Sequence, residues 1–301
     1  MNDLFDLTGK TAVVTGSLGL LGKNHCKALL NAGATVVVTD LNHAECEKFA
    51  NQLNLEVNNT GKKQALTNVE KLINTPQSSG EMSSTPAKKV FGFGADITSK
   101  QAVEKLRDFV LTQFGKIDIL VNNAAINDKF EDPAASFEQS AFENYPLELW
   151  NASINVNLTG MFLCSQVLGS VMAAQQYGSI INIASTYGIV APDQSLYIDG
   201  EGNQKFYKTP AYPVTKGAVI SFTRFLAAYW GEKGVRVNSL TPGGVENNQD
   251  RFFIENYAKK TPLKRMAKPT DYMGALIFLA SDASEYMTGA NLVVDGGFTI
   301  W

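Results

Sequence analysis

The sequence predicts an α/β fold, a doubly wound parallel sheet of about seven strands with helices on both faces. Two observations predict it. Short, continuous apolar runs rich in Val and Ile recur along the 301 residues, and stretches of helical periodicity separate them. Runs of that kind suit strands buried on both faces, as in a parallel sheet. Parallel neighbours also need crossover connections, which the intervening helices supply.

Each element follows in order. The first run is Thr11 to Thr15, then a glycine-punctuated turn and a helical stretch ending near Ala32-Gly33. The second, Thr35 to Thr39, ends at Asp40. The others are Val90 to Gly94, Ile117 to Val121, Ser179 to Ala184, Val235 to Leu240 and Asn291 to Val294. Thr98-x-x-Gln101 fits a capping box, followed at helical spacing by Val103, Leu106, Val110 and Phe114. Three stretches break the rhythm, at about 51–89, 127–145 and 191–210. The first is polar, with a Ser/Thr/Pro-rich later half, and reads as a mobile surface insertion after a short helix. The chain as a whole, 1–301, reads as one domain carrying these insertions.

Composition excludes several function classes. Apolar residues make up 45% and charged residues 18%, as in a globular chain with a large core. Twenty-six basic against 29 acidic residues, with no Lys/Arg run, argue against nucleic-acid binding. No continuous apolar stretch reaches about 18 residues, and the N-terminus does not resemble a signal peptide. The expectation is a cytoplasmic protein without a membrane partner. Cys26, Cys46 and Cys164 are scattered and odd in number, so they read as reduced thiols. His25 and His43, the two histidines, lack the company a metal site or a Ser-His-Asp triad needs; no metal is expected.

Chemistry concentrates at a few places. Thr15-Gly16-Ser17-Leu18-Gly19-Leu20-Leu21-Gly22 spaces glycines every third residue across a strand-to-helix turn. Such a turn lets the backbone approach a pyrophosphate and aims a helix N-terminus at it, giving a Rossmann-like reading. Asp40 ends the second strand, where a carboxylate accepts from adenosine ribose hydroxyls and repels a 2′-phosphate. No Lys or Arg lies in the loop or directly after Asp40, so NAD is favoured over NADP. The blander readings are a tight turn and an aspartate capping the next helix. Tyr212 and Lys216 stand four apart on one helical face, where an ammonium pulls a phenol down from about pKa 10. A tyrosine so tuned can exchange a proton with a substrate oxygen. Ser185 follows the fifth strand and Asn123 the fourth, on the edge where open sheets bind ligands.

The ordered set of these motifs resembles the short-chain dehydrogenases/reductases, in their single-domain branch. It comprises the glycine loop, Asp96 in GADIT, NNAA at 122–125, NVNLTG at 155–160, INIAS, YPVTK, VRVNSLTPGGV and LVVDGG, across nearly the whole chain. The resemblance implies roles. Tyr212 is the general acid/base, Lys216 tunes it and binds the nicotinamide ribose, and Ser185 holds the substrate oxygen. Asn157 anchors a water in a proton relay from Lys216, while Asn155 reads as structural. Gly16 to Gly22 take the pyrophosphate, Asp40 and Leu41 the adenosine ribose, and Asp96 and Ile97 the adenine. Asn123, Ala124 and Ala125 line the ribose side. Pro242, Gly243 and Val245 hold the carboxamide side. Asn247 stands in for a threonine the family often has there. Leu20 occupies a position where this branch usually has glycine. Ser185 and Tyr212 are 27 residues apart, about twice the usual gap.

Asp128, Glu131, Asp132, Asp193, Tyr197, Asp199, Glu201 and Tyr207 give the insertions a polar, partly acidic character. Such a rim suits a hydroxylated or amino-bearing ligand. A looser likeness, to flagellin-modification and legionaminic-acid-type surface-sugar oxidoreductases, points to an amino sugar or polyol. The favoured function is NAD(H)-dependent interconversion of a secondary alcohol and a ketone. The alternatives are a 3-oxoacyl-carrier-protein reductase using NADPH, and a non-catalytic dinucleotide-binding scaffold. The apolar C-terminus and the helices Leu147 to Gln175 and Tyr212 to Gly231 resemble family subunit contacts, implying a homo-oligomer, in particular a homotetramer.

Overall fold

The computed structural model describes residues 2–72, 88–128 and 133–301. Seven parallel strands form one sheet: β1 (Thr11–Thr15), β2 (Thr35–Asp40), β3 (Val90–Gly94), β4 (Ile119–Asn122), β5 (Gly178–Ile183), β6 (Val235–Pro242) and β7 (Asn291–Val294). Their order is β3-β2-β1-β4-β5-β6-β7, and registers such as Val13 beside both Val37 and Leu120 align the central strands. The expected class and number of strands are found. The apolar runs produce this sheet because successive residues feed opposite layers. Val14, Val38 and Val121 pack on α1 (Leu20–Asn31) and α9 (Met273–Ala280). Val13, Val37 and Leu120 pack on α3 (Lys100–Phe114), α6 (Met161–Gln175) and α7 (Ala211–Trp230). Strand order reverses between β1 and β4, which opens a crevice at their carboxyl ends.

Several local expectations need correction. The helix after β2 is not short: α2 spans His43–Leu72, thirty residues. No proline interrupts it before Pro76, and Phe49, Ala50 and Leu53 anchor its first half in the core. Residues 73–87 of that insertion lie outside the described residues. The helix α3 is capped one residue later than expected, with Ser99 accepting from the Ala102 amide. Thr98 is already engaged, its hydroxyl donating to Asp96 at 2.7 Å. Within 127–145, α4 (Pro133–Ser140) and a 3-10 turn at Phe142–Asn144 appear where no period was legible. Glu131 and Asp132 lie outside the described residues.

Residues Leu147–Gln175 form a helical column long and apolar enough by composition to cross a membrane, although Glu148 and polar residues interrupt its apolar run. Much of it is core helix. Cys164, Leu168 and Met172 of α6 are fully buried against the sheet. The column comprises α5 (Leu147–Ile154), a π-helical segment at Asn155–Gly160, and α6.

The 191–210 insertion is folded onto the body. A 3-10 turn at Gln194–Tyr197 buries Leu196 among Tyr257, Met266 and Phe298. Tyr257 lies on α8 (Arg251–Lys260) and stacks on Phe298 at 4.5 Å between ring centroids. Phe298 of the apolar C-terminus therefore packs within its own subunit, while Ile300 and Trp301 stay exposed.

Candidate active site

The crevice between β1 and β4 opens into a cleft of about 550 Å³ running from the glycine loop to Tyr212 and Lys216. At one end, Gly16 adopts φ +62° and lies against Ala124; a Cβ there would sit 2.6 Å from the Ala124 Cα. A Cβ on Gly22, in the first turn of α1, would sit 2.1 Å from the Gly16 carbonyl oxygen. Gly16 and Gly22 thus make the closest backbone approach. Gly19 precedes α1 with only a 3.3 Å contact, and Leu20 opens the helix, partly exposed at the cleft. A side chain is tolerated at position 20 because that residue points away from the tight crossing.

Asp40 lies in the cleft wall. Its carboxylate accepts from the Leu18 amide at 3.0 Å and the Leu41 amide at 2.8 Å. A carboxylate offers about four acceptor positions, so capacity remains for ribose hydroxyls. It does not cap the following helix; Asn42 accepts from the Glu45 amide there. Asp96 accepts from the Thr98 amide and hydroxyl through one oxygen, and its second oxygen carries none of these contacts.

Asn123 braces the loop more than it reaches into the cleft. Its amide donates to the Thr15 and Gly16 carbonyls, both at 2.9 Å. Thr15 completes the brace: its hydroxyl accepts from the Asn123 and Ala124 amides at 3.1 Å. Sequence reasoning passed over Thr15, since a threonine ending a strand carries no signal of partners from β4.

At the other end, Tyr212 is the second residue of α7 and Lys216 stands one turn on. Lys216 is buried and donates to the Ile183 carbonyl at 2.7 Å; its Nζ lies 5.6 Å from the Tyr212 ring centroid. Burial pushes the Lys216 ammonium down to about 8. Burial likewise raises the Tyr212 phenol, with a Ser185 hydrogen bond opposing it. The net direction is opposite to the one expected from the lysine alone, because desolvation of the phenolate outweighs the neighbouring groups. Ser185 is buried at the end of β5 in extended backbone, its hydroxyl accepting from the Tyr187 amide at 3.2 Å.

Asn157 is buried within the π-helical segment, a form that recurs at functional sites. Its side chain accepts from the Ile126 amide at 2.8 Å and donates to the Ile126 carbonyl and the Thr215 hydroxyl. It therefore ties the chain after β4 to the helix carrying Tyr212. Asn155, read from the sequence as structural, is the one that faces the cleft, together with Ile126, Ala152 and Val156.

Most predicted cofactor positions line this cleft: Gly16, Gly19 to Gly22, Asp40, Leu41, Asp96, Ile97, Asn123 to Ala125, Tyr212, Lys216 and Pro242. Five do not. Ser17 is fully buried, its hydroxyl donating to Val14 and accepting from the Thr39 amide. Leu18 packs against the core between α1 and α9, and Gly243 borders a separate cavity with Tyr272 and Asp295. Val245 pairs with Ala267, and Asn247 is exposed with its amide donating to Gln249. The acidic residues of the insertions are also partly committed. Asp193 pairs with Lys260, and Asp199 pairs with Lys205 at 2.8 Å.

The sequence family described as enoyl-(acyl carrier protein) reductase matches residues 56–299. D-Threitol dehydrogenase of Mycolicibacterium smegmatis is 31% identical, with 98% of this chain and 95% of that protein covered. The chain belongs to the short-chain dehydrogenase/reductase family. Membership makes it an oxidoreductase acting on CH–OH groups. Post-translational flagellin modification protein A of Campylobacter coli is 30% identical over 97% of this chain and 99% of its own length. A 3-oxoacyl-[acyl-carrier-protein] reductase of Synechocystis is also 30% identical, over 98% and 99%. Among solved structures, a gluconate 5-dehydrogenase of Burkholderia cenocepacia in complex with NADP and tartrate superposes with a TM-score of 0.76. It is 29% identical and covers 100% of this chain and 99% of its own. A short-chain dehydrogenase of Leptospira borgpetersenii with bound NAD+ gives 0.74 at 30% identity, over 98% and 94%.

Proposed function

We propose that the protein is an NAD(H)-dependent dehydrogenase that interconverts a secondary alcohol and a ketone on a polyhydroxylated, sugar-like substrate. The observation that carries this reading is one cleft with Asp40 in its wall at the glycine-loop end and Tyr212 with Lys216 at the other. The residues present fit a dinucleotide. The Gly16–Gly22 crossing leaves no room for side chains, and the carboxylate of Asp40 suits a free 2′-hydroxyl over a 2′-phosphate. When bound, NAD supplies the acceptor for the hydride that leaves the alcohol carbon. Tyr212 takes the hydroxyl proton in oxidation and returns it in reduction. Ser185 holds the substrate oxygen. Lys216 places positive charge behind the phenol and offers N–H donors to the nicotinamide ribose. Asn157 ties the α7 helix to the chain after β4, and the family resemblance gives it a relay water near Lys216. Asp96 and Ile97 bound the adenine, and Pro242 the nicotinamide end.

The 3-oxoacyl reductase reading has a relative in its favour, yet Asp40 opposes the NADPH it calls for. The scaffold reading leaves Ser185, Tyr212 and Lys216 unexplained. Reduction of NAD by a panel of polyols tests the proposal. Wild-type protein is expected to turn over at least one, and Tyr212→Phe to lose about a thousandfold in kcat or more while still binding NADH. Full activity in the variant would overturn it.

We also propose a cytoplasmic homotetramer. The exposed aromatic residues Phe162, Phe225 and Tyr229 on α6 and α7, with Ile300 and Trp301, support subunit contact. Sedimentation at monomer mass would contradict this.

A further inference from the structure

We infer that the substrate carries a carboxylate, received by Lys208 and Asn127 beside Tyr212. The inference rests on the dehydrogenase reading above and narrows its substrate class to polyhydroxy acids. Lys208 immediately precedes Thr209 and Pro210 at the start of α7. Lys208 is only 9% exposed, and it lines a cavity beside the cleft with Gln194, Thr209 and Pro213. The ammonium lies 4.6 Å above the Tyr212 ring centroid and donates to the Asn127 side-chain carbonyl. Asn127 itself is exposed, next to Ile126 in the cleft wall. The second buried lysine at the site, Lys216, donates to the Ile183 carbonyl, and its remaining N–H donors are the ones given above to the nicotinamide ribose. Among the described residues Lys208 has no such backbone acceptor for its ammonium. Among the described residues Asn127 is its one hydrogen-bond acceptor, so two of its three N–H donors are open.

A buried ammonium without a paired anion is costly. The nearby carboxylate does not remove that cost. Asp128 acts on Lys208 only through space, and its oxygens accept from Tyr145, Thr209 and Ser153. Burial pushes Lys208 down to about 8, so it is still charged at neutral pH. Stacked on the ring face, the ammonium touches the quadrupole of Tyr212 rather than its hydroxyl, leaving N–H bonds free to turn outward. One ammonium and one amide match a monoanion. A phosphate dianion would meet Asp128 with no second free cation among the described residues. Asp193 and Asp199 of the 191–210 insertion, by contrast, are paired with Lys260 and Lys205 and do not call for a cationic ligand.

The test measures binding to the Tyr212→Phe protein loaded with NAD, which keeps the ring and stops turnover. D-Gluconate and D-glucitol differ in a carboxylate for a hydroxymethyl group, and calorimetry gives both affinities. Gluconate is expected to bind about ten- to a hundredfold more tightly, the range of a charge-assisted hydrogen bond. Lys208→Met, or Lys208→Gln if the methionine variant fails to bind NADH, is expected to abolish that preference. Equal binding of the two probes, binding of neither, or a preference that survives in the variants would overturn the inference. Failure to bind NADH in the unmodified protein would instead overturn the dehydrogenase reading on which it rests.

Discussion

At the scale of single residues, the site depends on charges held out of water. Lys208 and Lys216 are both buried and both pushed from their ordinary value of 10.5 to about 8. Between about pH 8 and 10.5 the unfolded chain therefore holds more protons on these groups than the folded one. Stability attributable to them rises with pH through that window, and below about 8 the cost of burying both charges is fully present. Urea unfolding at pH 7.5 and 9.5 checks this. Wild-type protein is expected to gain about 2 kcal/mol relative to Lys208→Met over that interval. An equal gain in both proteins would contradict it. Asp40, Ser185, Tyr212 and Lys216 were legible in the sequence because their backbone positions follow from strand ends and helical spacing. Thr15, Asn155 and Lys208 were not. Thr15 acts on residues across β4, Asn155 lies in a π-helical segment, and Lys208 precedes its helix outside any periodic frame.

At the scale of elements, the turn between β1 and α1 sets the entrance of the cleft. Its spacing departs from the single-domain family pattern, and the structure resolves the departure by placing the tight crossing at Gly16 and Gly22 rather than at position 20. Gly22→Ala puts a methyl group 2.1 Å from the Gly16 oxygen, so the loop must open. The variant is expected to lose 1–3 kcal/mol of stability, roughly the cost of overpacking, and at least tenfold in NADH affinity. Leu20→Ala, facing the cleft mouth, is expected to change stability by less than about 1 kcal/mol. Denaturant titration with NADH fluorescence separates the two. Similar behaviour of both variants would mean that Gly22 is not the crossing point. The strands were legible nearly to their ends because short β-branched and aromatic runs bounded by turn residues suit strands buried on both faces. The thirty-residue length of α2 and the short α4 were not legible, since polar helices carry weak apolar periodicity.

At the scale of the whole molecule, sheet order converts local motifs into a site. Reversal between β1 and β4 brings the glycine loop, the NNAA segment and the carboxyl end of β5 to one edge. The Asn157 bridge then joins that edge to α7, so Tyr212 and Lys216 sit at the far end of the same cleft. The alternation of short apolar runs with helical stretches was enough to anticipate the sheet. The packing of the 191–210 insertion onto α8 and Phe298 was not, because it depends on contacts between segments distant in sequence.

The most direct test of the account is titration of the purified protein with NADH and with NADPH, followed by tryptophan fluorescence, on wild-type and Asp40→Ala. Tighter binding of NADH by wild-type, with the preference lost in the variant, is the predicted result. Tighter binding of NADPH by wild-type, or binding of neither cofactor, would contradict it.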